Sequence, residues 1–265
     1  MKSGLTHEIL EELYERYNRP EFIHPDPLEF VYRYESAEDR EIAGLIAAVL
    51  AYGNVKQIIR SADNALSRMG DSPRDFVERV PEDKFDGYFA DFKHRFTDGT
   101  QMAELLVGLK RIIARHGSIR QCFESHISPD NETYIPALTG WSDEILADFE
   151  GGCSYLLPSP VRGSACKRSN LYLKWMIRKD AVDAGVWEGL SPAKLIVPID
   201  RHMDRICRSI GLTSRKQADL KTAIEVTEGF RAFVPEDPAK YDFAITRLGI
   251  RDDCDPSDFI QSCIK

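Results

Sequence analysis

The sequence predicts an all-α protein, and three observations carry that expectation. Apolar residues recur at helical spacing along most of the chain. Candidate N-caps and terminal glycines bracket those runs. The only strand-like stretch, Leu195 to Ile199, is too short to build a sheet.

Taken in order, Thr6 caps a first helix with Ile9, Leu10, Leu13, Tyr14 and Tyr17 on one face, and a proline-rich connector, Pro20 to Pro27, follows. Ser36-Ala-Glu-Asp39 reads as a variant capping box. The helix it opens, Ile42 to Tyr52, is apolar nearly all round and is therefore a central buried helix. Gly53-Asn54 interrupts it, and Val55 to Met69 is the next helix. Residues 71–100 hold shorter aromatic-rich pieces. Gln101 to His116 places Leu105, Leu106, Leu109, Ile112 and Ile113 on one face and stops at Gly117. Residues 125–162 are the least regular part, with a turn at Pro158 and Pro160. Ser164 to Arg178 has a helical pattern, Asp180 to Lys194 is a polar connector, and Asp200 to Ile210 is a helix ending at Gly211. Thr213 is expected to cap a helix to about Phe233, and Asp237-Pro238 to open the last helix, with Gly249 as its stop.

The chain has 265 residues, 43% hydrophobic and 29% charged, which is a globular balance with ample length for a core. No apolar run approaches the ~18 residues of a membrane span, and the polar, acidic N-terminus has no signal-peptide core. A soluble cytoplasmic protein is expected, with no membrane partner. Six cysteines (122, 153, 166, 207, 254 and 263) are scattered without a CxxC, which reads as reduced thiols. The histidines show no HxxxH or HExxH spacing, so neither a metal site nor a cofactor is expected.

The net charge of −8 is unevenly spread. From Gly151 to Lys179 there is no acidic residue. Arg162, Lys167, Arg168, Lys174, Arg178 and Lys179 make that stretch +6 within a remainder of −14. Such a segment creates a local positive field, suited to a polyanion, on a chain that is otherwise acidic.

Two residues carry candidate chemistry. Lys167 falls in the first turn of a helix, where the partial positive charge of the helix end and the nearby Arg162 and Arg168 disfavour an ammonium. That setting suits a nucleophilic amine. The plain alternative is a solvated lysine or a simple phosphate contact. Asp200 follows Pro198-Ile199, and its plain role is a helix N-cap. The two roles are compatible, because a cap carboxylate is held rigidly at a helix end that can face a cleft.

Pro198-Ile199-Asp200-Arg201-His202-Met203-Asp204-Arg205-Ile206, followed by Gly211-Leu212, resembles the proline–aliphatic–aspartate–x–histidine segment of the helix-hairpin-helix DNA glycosylase superfamily. Gly163-Ser164-Ala165-Cys166-Lys167, leading into Asn170-Leu171-Tyr172-Leu173, is similar to the end of that hairpin and its lysine helix. Ala51-Tyr52-Gly53-Asn54 is similar to the start of the DNA-wedging loop. Val234-Pro235, the helix ending Leu248-Gly249-Ile250, and Cys254 are similar to the end of the fold. The chain also looks like a bacterial family of relatives of these glycosylases. The separation of 33 positions between Lys167 and Asp200 is more similar to the archaeal 8-oxoguanine glycosylases.

The resemblance implies a two-lobed helical fold with residues 36–162 mainly in the first lobe and 163–265 forming hairpin, lysine helix and C-terminal lobe, while 1–35 pack across. It implies an N-glycosylase with AP lyase activity on damaged double-stranded DNA, an oxidised purine being the favoured lesion. Lys167 would attack the sugar carbon that bears the base, and Asp200 would stabilise the developing cation and help to activate the amine. The base would flip out of the stack. Backbone N–H groups of Gly163, Ser164 and Ala165 would hold a phosphate, with Arg162 and Arg168 as counter-charge. Tyr52 or Asn54 would fill the gap left by the base, their plain roles being core packing and a cap. Arg201 and His202 complete the expected DNA contacts. A monomer associated with the nucleoid is expected.

The usual hairpin pattern of a proline then two close glycines is replaced by Leu-Pro-Ser-Pro-Val-Arg-Gly-Ser-Ala, so a shorter hairpin is expected. No four-cysteine cluster motif follows the last helix. Trp141, Trp175 and Trp187 are each open to a core or pocket role. The alternative of another class is a non-catalytic nucleic-acid-binding module on the same fold, in which Lys167 is replaceable by arginine.

Overall fold

The computed structural model describes residues 4–147, 149, 155–250 and 256–264. Cys153 and Cys254 lie outside the described residues.

The regular structure of the described residues is mainly helical. In order they form α1 (His7–Tyr17), 3-10 turns at Pro20–Phe22 and Pro27–Arg33, α2 (Ala37–Val49), α3 (Val55–Ser67), α4 (Pro73–Arg79), a 3-10 turn at Glu82–Lys84 and α5 (Phe85–Phe89). There follow β1 (Lys93–His94), β2 (Thr97–Asp98), α6 (Gly99–His116), α7 (Ile119–Ser125) and α8 (Ile135–Ile145). A 3-10 turn at Pro160–Arg162 precedes α9 (Lys167–Ile177), and another lies at Pro192–Lys194. The chain then forms α10 (Arg201–Ser209), α11 (Leu220–Arg231), α12 (Asp242–Ile250) and α13 (Pro256–Ile264). Many of the expected caps are in place. Thr6 accepts from Ile9 N, Ser36 from Asp39 N, and Asn54 from Lys56 N.

Two apolar cores organise the helices. The larger takes α2 to α8, the 3-10 turn before α2, and the inward face of α9. Its centre is an aromatic cluster in which Trp141 stacks on Tyr172, with Phe123 and Trp187 against them. Trp141 and Trp187 are therefore core residues. The smaller core takes α1 and α10 to α13, with Ile196, Val197 and Ile199 of an extended segment. The apolar face of the lysine helix α9 thus belongs to the larger core. It lies against α2, where Gly44 admits Met176 so closely that a Cβ would sit 3.0 Å from its methyl.

At two points the chain passes from one core to the other next to a candidate residue. Ala165 belongs to the smaller core and Cys166 to the larger; Leu195 belongs to the larger and Ile196 to the smaller. Lys167 and Asp200 each follow closely on one crossing, so the topology delivers both to the seam between the lobes.

Some boundaries differ from the sequence expectation. The Thr213 hydroxyl accepts from Arg215 N and donates to Glu225, forming a local turn, and α11 starts only where Asp219 accepts from Thr222 N. Asp237 does not open a helix because Arg178 holds its carboxylate; α12 begins at Asp242. A further helix, α13, follows. Residues 93–98 form a two-residue antiparallel ladder, although Lys-His-Arg-Phe-Thr-Asp carries no alternating pattern.

Candidate active site

A cleft of about 1040 Å³ lies at the seam between the two cores. All the site residues expected from the sequence line it: Lys167, Asp200, Arg162, Gly163, Ser164, Ala165, Arg168, Tyr52, Asn54, Arg201 and His202. Their individual placements differ in what they leave free.

The turn into α9 is tight. Gly163 has φ +76°, in the left-handed region that glycine tolerates. Its carbonyl accepts from Leu220 N at 3.0 Å, and Ser164 bridges Asp219, so the turn is fastened to the start of α11. Ser164 Oγ accepts from Cys166 N at 3.2 Å. Cys166 itself takes φ +44° and is buried, its thiol donating to Pro158 O at 3.0 Å. A 3-10 turn, Pro160–Arg162, leads directly into Gly163.

Lys167 is the first residue of α9 and half-buried. Its Nζ donates to Ala51 O at 3.0 Å, which aims the amine at the end of α2. Asp200 is the N-cap of α10: its Oδ1 accepts from His202 N and Met203 N, both at 2.8 Å. Both bonds fall on one oxygen, so Oδ2 remains for the cleft. The cap reading and the cleft reading of Asp200 therefore both hold.

Arg168 departs from its expected part as phosphate counter-charge. It is 9% exposed, and its guanidinium donates to Val49 O at 2.9 Å and to Tyr155 O. It also covers the rings of Tyr52 and Tyr155. Those carbonyls and rings hold the guanidinium in the cleft wall, so it ties that wall together. Lys174 and Arg178 are likewise internal. Lys174 pairs with Asp183 at 2.9 Å and Asp242 at 3.3 Å, and Arg178 with Asp180, Asp183 and Asp237. Two of the six cations of the basic stretch are thus neutralised within the fold.

Arg162 and Arg201 are exposed at the cleft, and the sequence reading missed a third arginine there, Arg95. Arg95 sits at the tip of the β1–β2 hairpin with φ +53°, beside Phe96, which is 67% exposed. The hairpin is pinned to the cleft by Tyr52, whose hydroxyl donates to His94 O at 2.8 Å and bonds Thr97 Oγ1 at 2.7 Å. Tyr155 packs edge-on against both Tyr52 and Phe96. An aromatic rim flanked by arginines results.

The floor holds Lys174, Trp175, Asp242 and Phe243. Trp175 is both core and cleft lining. Burial pushes the Asp242 carboxyl up to about 6, with Asp200 adding to the rise and Lys174 opposing it. Chemically, the cleft offers an amine, a carboxylate with one free oxygen, an aromatic rim and exposed guanidinium groups.

The family model described as "Protein of unknown function (DUF2400)" matches residues 26–251. No curated protein matches the sequence. Among solved structures, the chain is similar to the crystal structure of Tm1821, the 8-oxoguanine DNA glycosylase of Thermotoga maritima. The TM-score is 0.47 at 16% identity, covering 91% of this chain and 95% of that one.

Proposed function

The chain belongs to the DUF2400 family, and from that premise we propose that it is a DNA N-glycosylase with an associated lyase step, using Lys167 and Asp200. One observation carries the reading: these two residues, 33 positions apart in sequence, line a single cleft between the lobes. The cleft volume of about 1040 Å³ is ample for one flipped nucleotide, being at the upper limit of small-ligand sites, which run from roughly 300 to 1,000 Å³.

In the proposed reaction the neutral Lys167 amine attacks C1′ of the damaged nucleotide. The bond from C1′ to the base nitrogen breaks, its electron pair leaves on the base, and the base takes up a proton. The sugar ring opens to a protonated imine between Nζ and C1′. Loss of a proton from C2′ then expels the 3′ phosphate. Asp200 Oδ2 faces the developing sugar cation and can take the proton that Lys167 must lose. Its Oδ1 is locked by two backbone N–H groups, so the carboxylate is preorganised. The hydrogen bond from Nζ to Ala51 O restrains the amine to few rotamers, which lowers the entropy cost of attack. An oxidised purine is the proposed lesion.

The same Ala51 contact favours a second reading, in which Lys167 only ties α9 to α2 in a binding module. Borohydride trapping separates the two. Duplexes carrying 8-oxoguanine, uracil or an abasic site are incubated with the protein and reduced. A covalent adduct that Lys167→Gln abolishes is expected, while Lys167→Arg binds DNA as the parent does and gives no adduct. Binding without any adduct on all three duplexes overturns the enzyme reading.

A further inference from the structure

A second constellation lies in the larger lobe, among residues that do not line the cleft. His116 is the last residue of α6, Cys122 lies on α7, His126 is the C-cap of α7, and Glu144 is on α8. We propose that these four side chains form a structural Zn²⁺ site joining the three helices. The histidine spacing gives no hint of it, because the ligands come from separate elements and meet only in the fold.

Glu144 is the hub. His116 Nε2 contacts its Oε1 at 2.7 Å, and His126 Nε2 contacts its Oε2 at 2.8 Å. The Cys122 sulfur stands 3.7 Å from the same Oε2. Donor atoms of His116, Cys122 and Glu144 all lie within 4.8 Å of one another. With metal–ligand bonds of about 2.0–2.3 Å, tetrahedral donors stand about 3.3–3.5 Å apart. Cys122 therefore stands at about the tetrahedral distance from Glu144 and His116 has to open from it by about half an ångström, while His126, which falls outside that group of three, has to swing round from Oε2 to complete the set.

Three features favour a cation over a plain hydrogen-bond cluster. First, an imidazole, a thiol and a carboxylate already stand together as Zn²⁺ ligands do, and a second imidazole on the same carboxylate can supply the fourth. Second, His116 and His126 sit at the C-terminal ends of α6 and α7, so two negative helix ends converge on the centre. Third, the position is built. A Cβ on Gly140 would come within 2.4 Å of His126 Nδ1, which wedges the ring against α8. Cys122 is fully buried, and a neutral S–H is only a weak donor, so the carboxylate gains little from it without a metal. Arg115 also reaches Glu144, at 3.1 Å, but its side chain is 73% exposed and free to swing into solvent.

The test uses the full chain, stripped with chelator, reloaded with Zn²⁺ and desalted. Elemental analysis is expected to find one zinc per chain. In competition with a chromophoric chelator, Cys122→Ser and His126→Gln are expected to bind at least ten-fold more weakly. Loading Co²⁺ in place of Zn²⁺ is expected to give a thiolate charge-transfer band in the parent protein, lost in Cys122→Ser. The parent spectrum reads the site even where a variant folds poorly. Lys167→Gln is expected to keep its zinc, so the result stands apart from the fate of the glycosylase reading. Trace zinc only, equal binding in the variants, or a Co²⁺ spectrum without the sulfur band would overturn the site.

Discussion

At the scale of single residues, the cleft separates groups that are free to act from groups already engaged by the fold. Asp200 was legible because a proline–aliphatic–aspartate run before a helical pattern marks a cap, and the cap fixes the carboxylate at a cleft edge. Lys167 was legible as the amine at the start of a helix in an acid-free stretch. Arg168 misled for a physical reason. A basic residue in a sequence carries no sign of whether its donors face solvent or the carbonyls of Val49 and Tyr155. Phe96 was missed altogether, since its exposure depends on a two-residue ladder and on the left-handed backbone of Arg95. On the proposed reading Phe96 stacks on a base at the cleft mouth, a contact of about 1–3 kcal/mol. Phe96→Ala is therefore expected to weaken binding to lesion-bearing duplex about ten-fold. Its melting temperature should stay close to the parent value, because the ring is largely outside the core. A fluorescence titration and a thermal melt check both; unchanged affinity would remove Phe96 from the interface.

At the scale of elements, the periodic helices were readable and the joints between them were not. α2 and α6 announce themselves by apolar faces and end signals, whereas the start of α11 was misplaced because Thr213 and Asp219 are both good caps. Long-range caps are invisible in sequence altogether. Nothing in the sequence marks Glu41, in the first turns of α2, as a cap, yet it is buried and caps another helix. It accepts from Ile119 N and Arg120 N at the start of α7, and from Trp187 Nε1 at 2.8 Å. Burial pushes its carboxyl up from 4.5 to about 7, and the three donors pull the other way. The sign of the linkage follows. The folded state holds the proton more tightly, so this group's stabilising contribution is complete below about 4.5 and is lost as pH rises through about 7. Glu41→Gln cannot ionise and lacks that dependence. Between pH 5 and 8 the stability of the variant is expected to gain on the parent by up to about 3 kcal/mol. Denaturant titrations at the two pH values measure it, and a constant difference between the two proteins would contradict the assignment.

At the scale of the whole molecule, part of the charge that looks like a nucleic-acid footprint holds the lobes together. Lys174 and Arg178 on and after α9 reach Asp183 in the following turn, and Asp237 and Asp242 before and at the start of α12. This cluster spans the seam that the cleft occupies. Asp183 has no exposed side-chain surface, and removing it leaves two buried cations short of a partner. Asp183→Ala is expected to cost about 3–5 kcal/mol in denaturant unfolding. Lys179→Ala, which breaks an exposed pair with Glu188, should cost less than about 1 kcal/mol. The consequence reaches function, because internal cations release no counterions on binding DNA. The stretch from Gly151 to Lys179 carries +6, and binding that used all of it would give a log–log salt slope near −5. The exposed arginines lining the cleft are Arg95, Arg162 and Arg201, and three phosphate contacts give a slope of about −3. Replacing Arg162 and Arg201 by alanine should reduce that slope by about 2, at equal cost for every sequence. Affinities measured across a salt series decide the matter: a slope near −5 in the parent means that DNA meets a different face, and a slope near zero means that phosphate is not what the cleft holds.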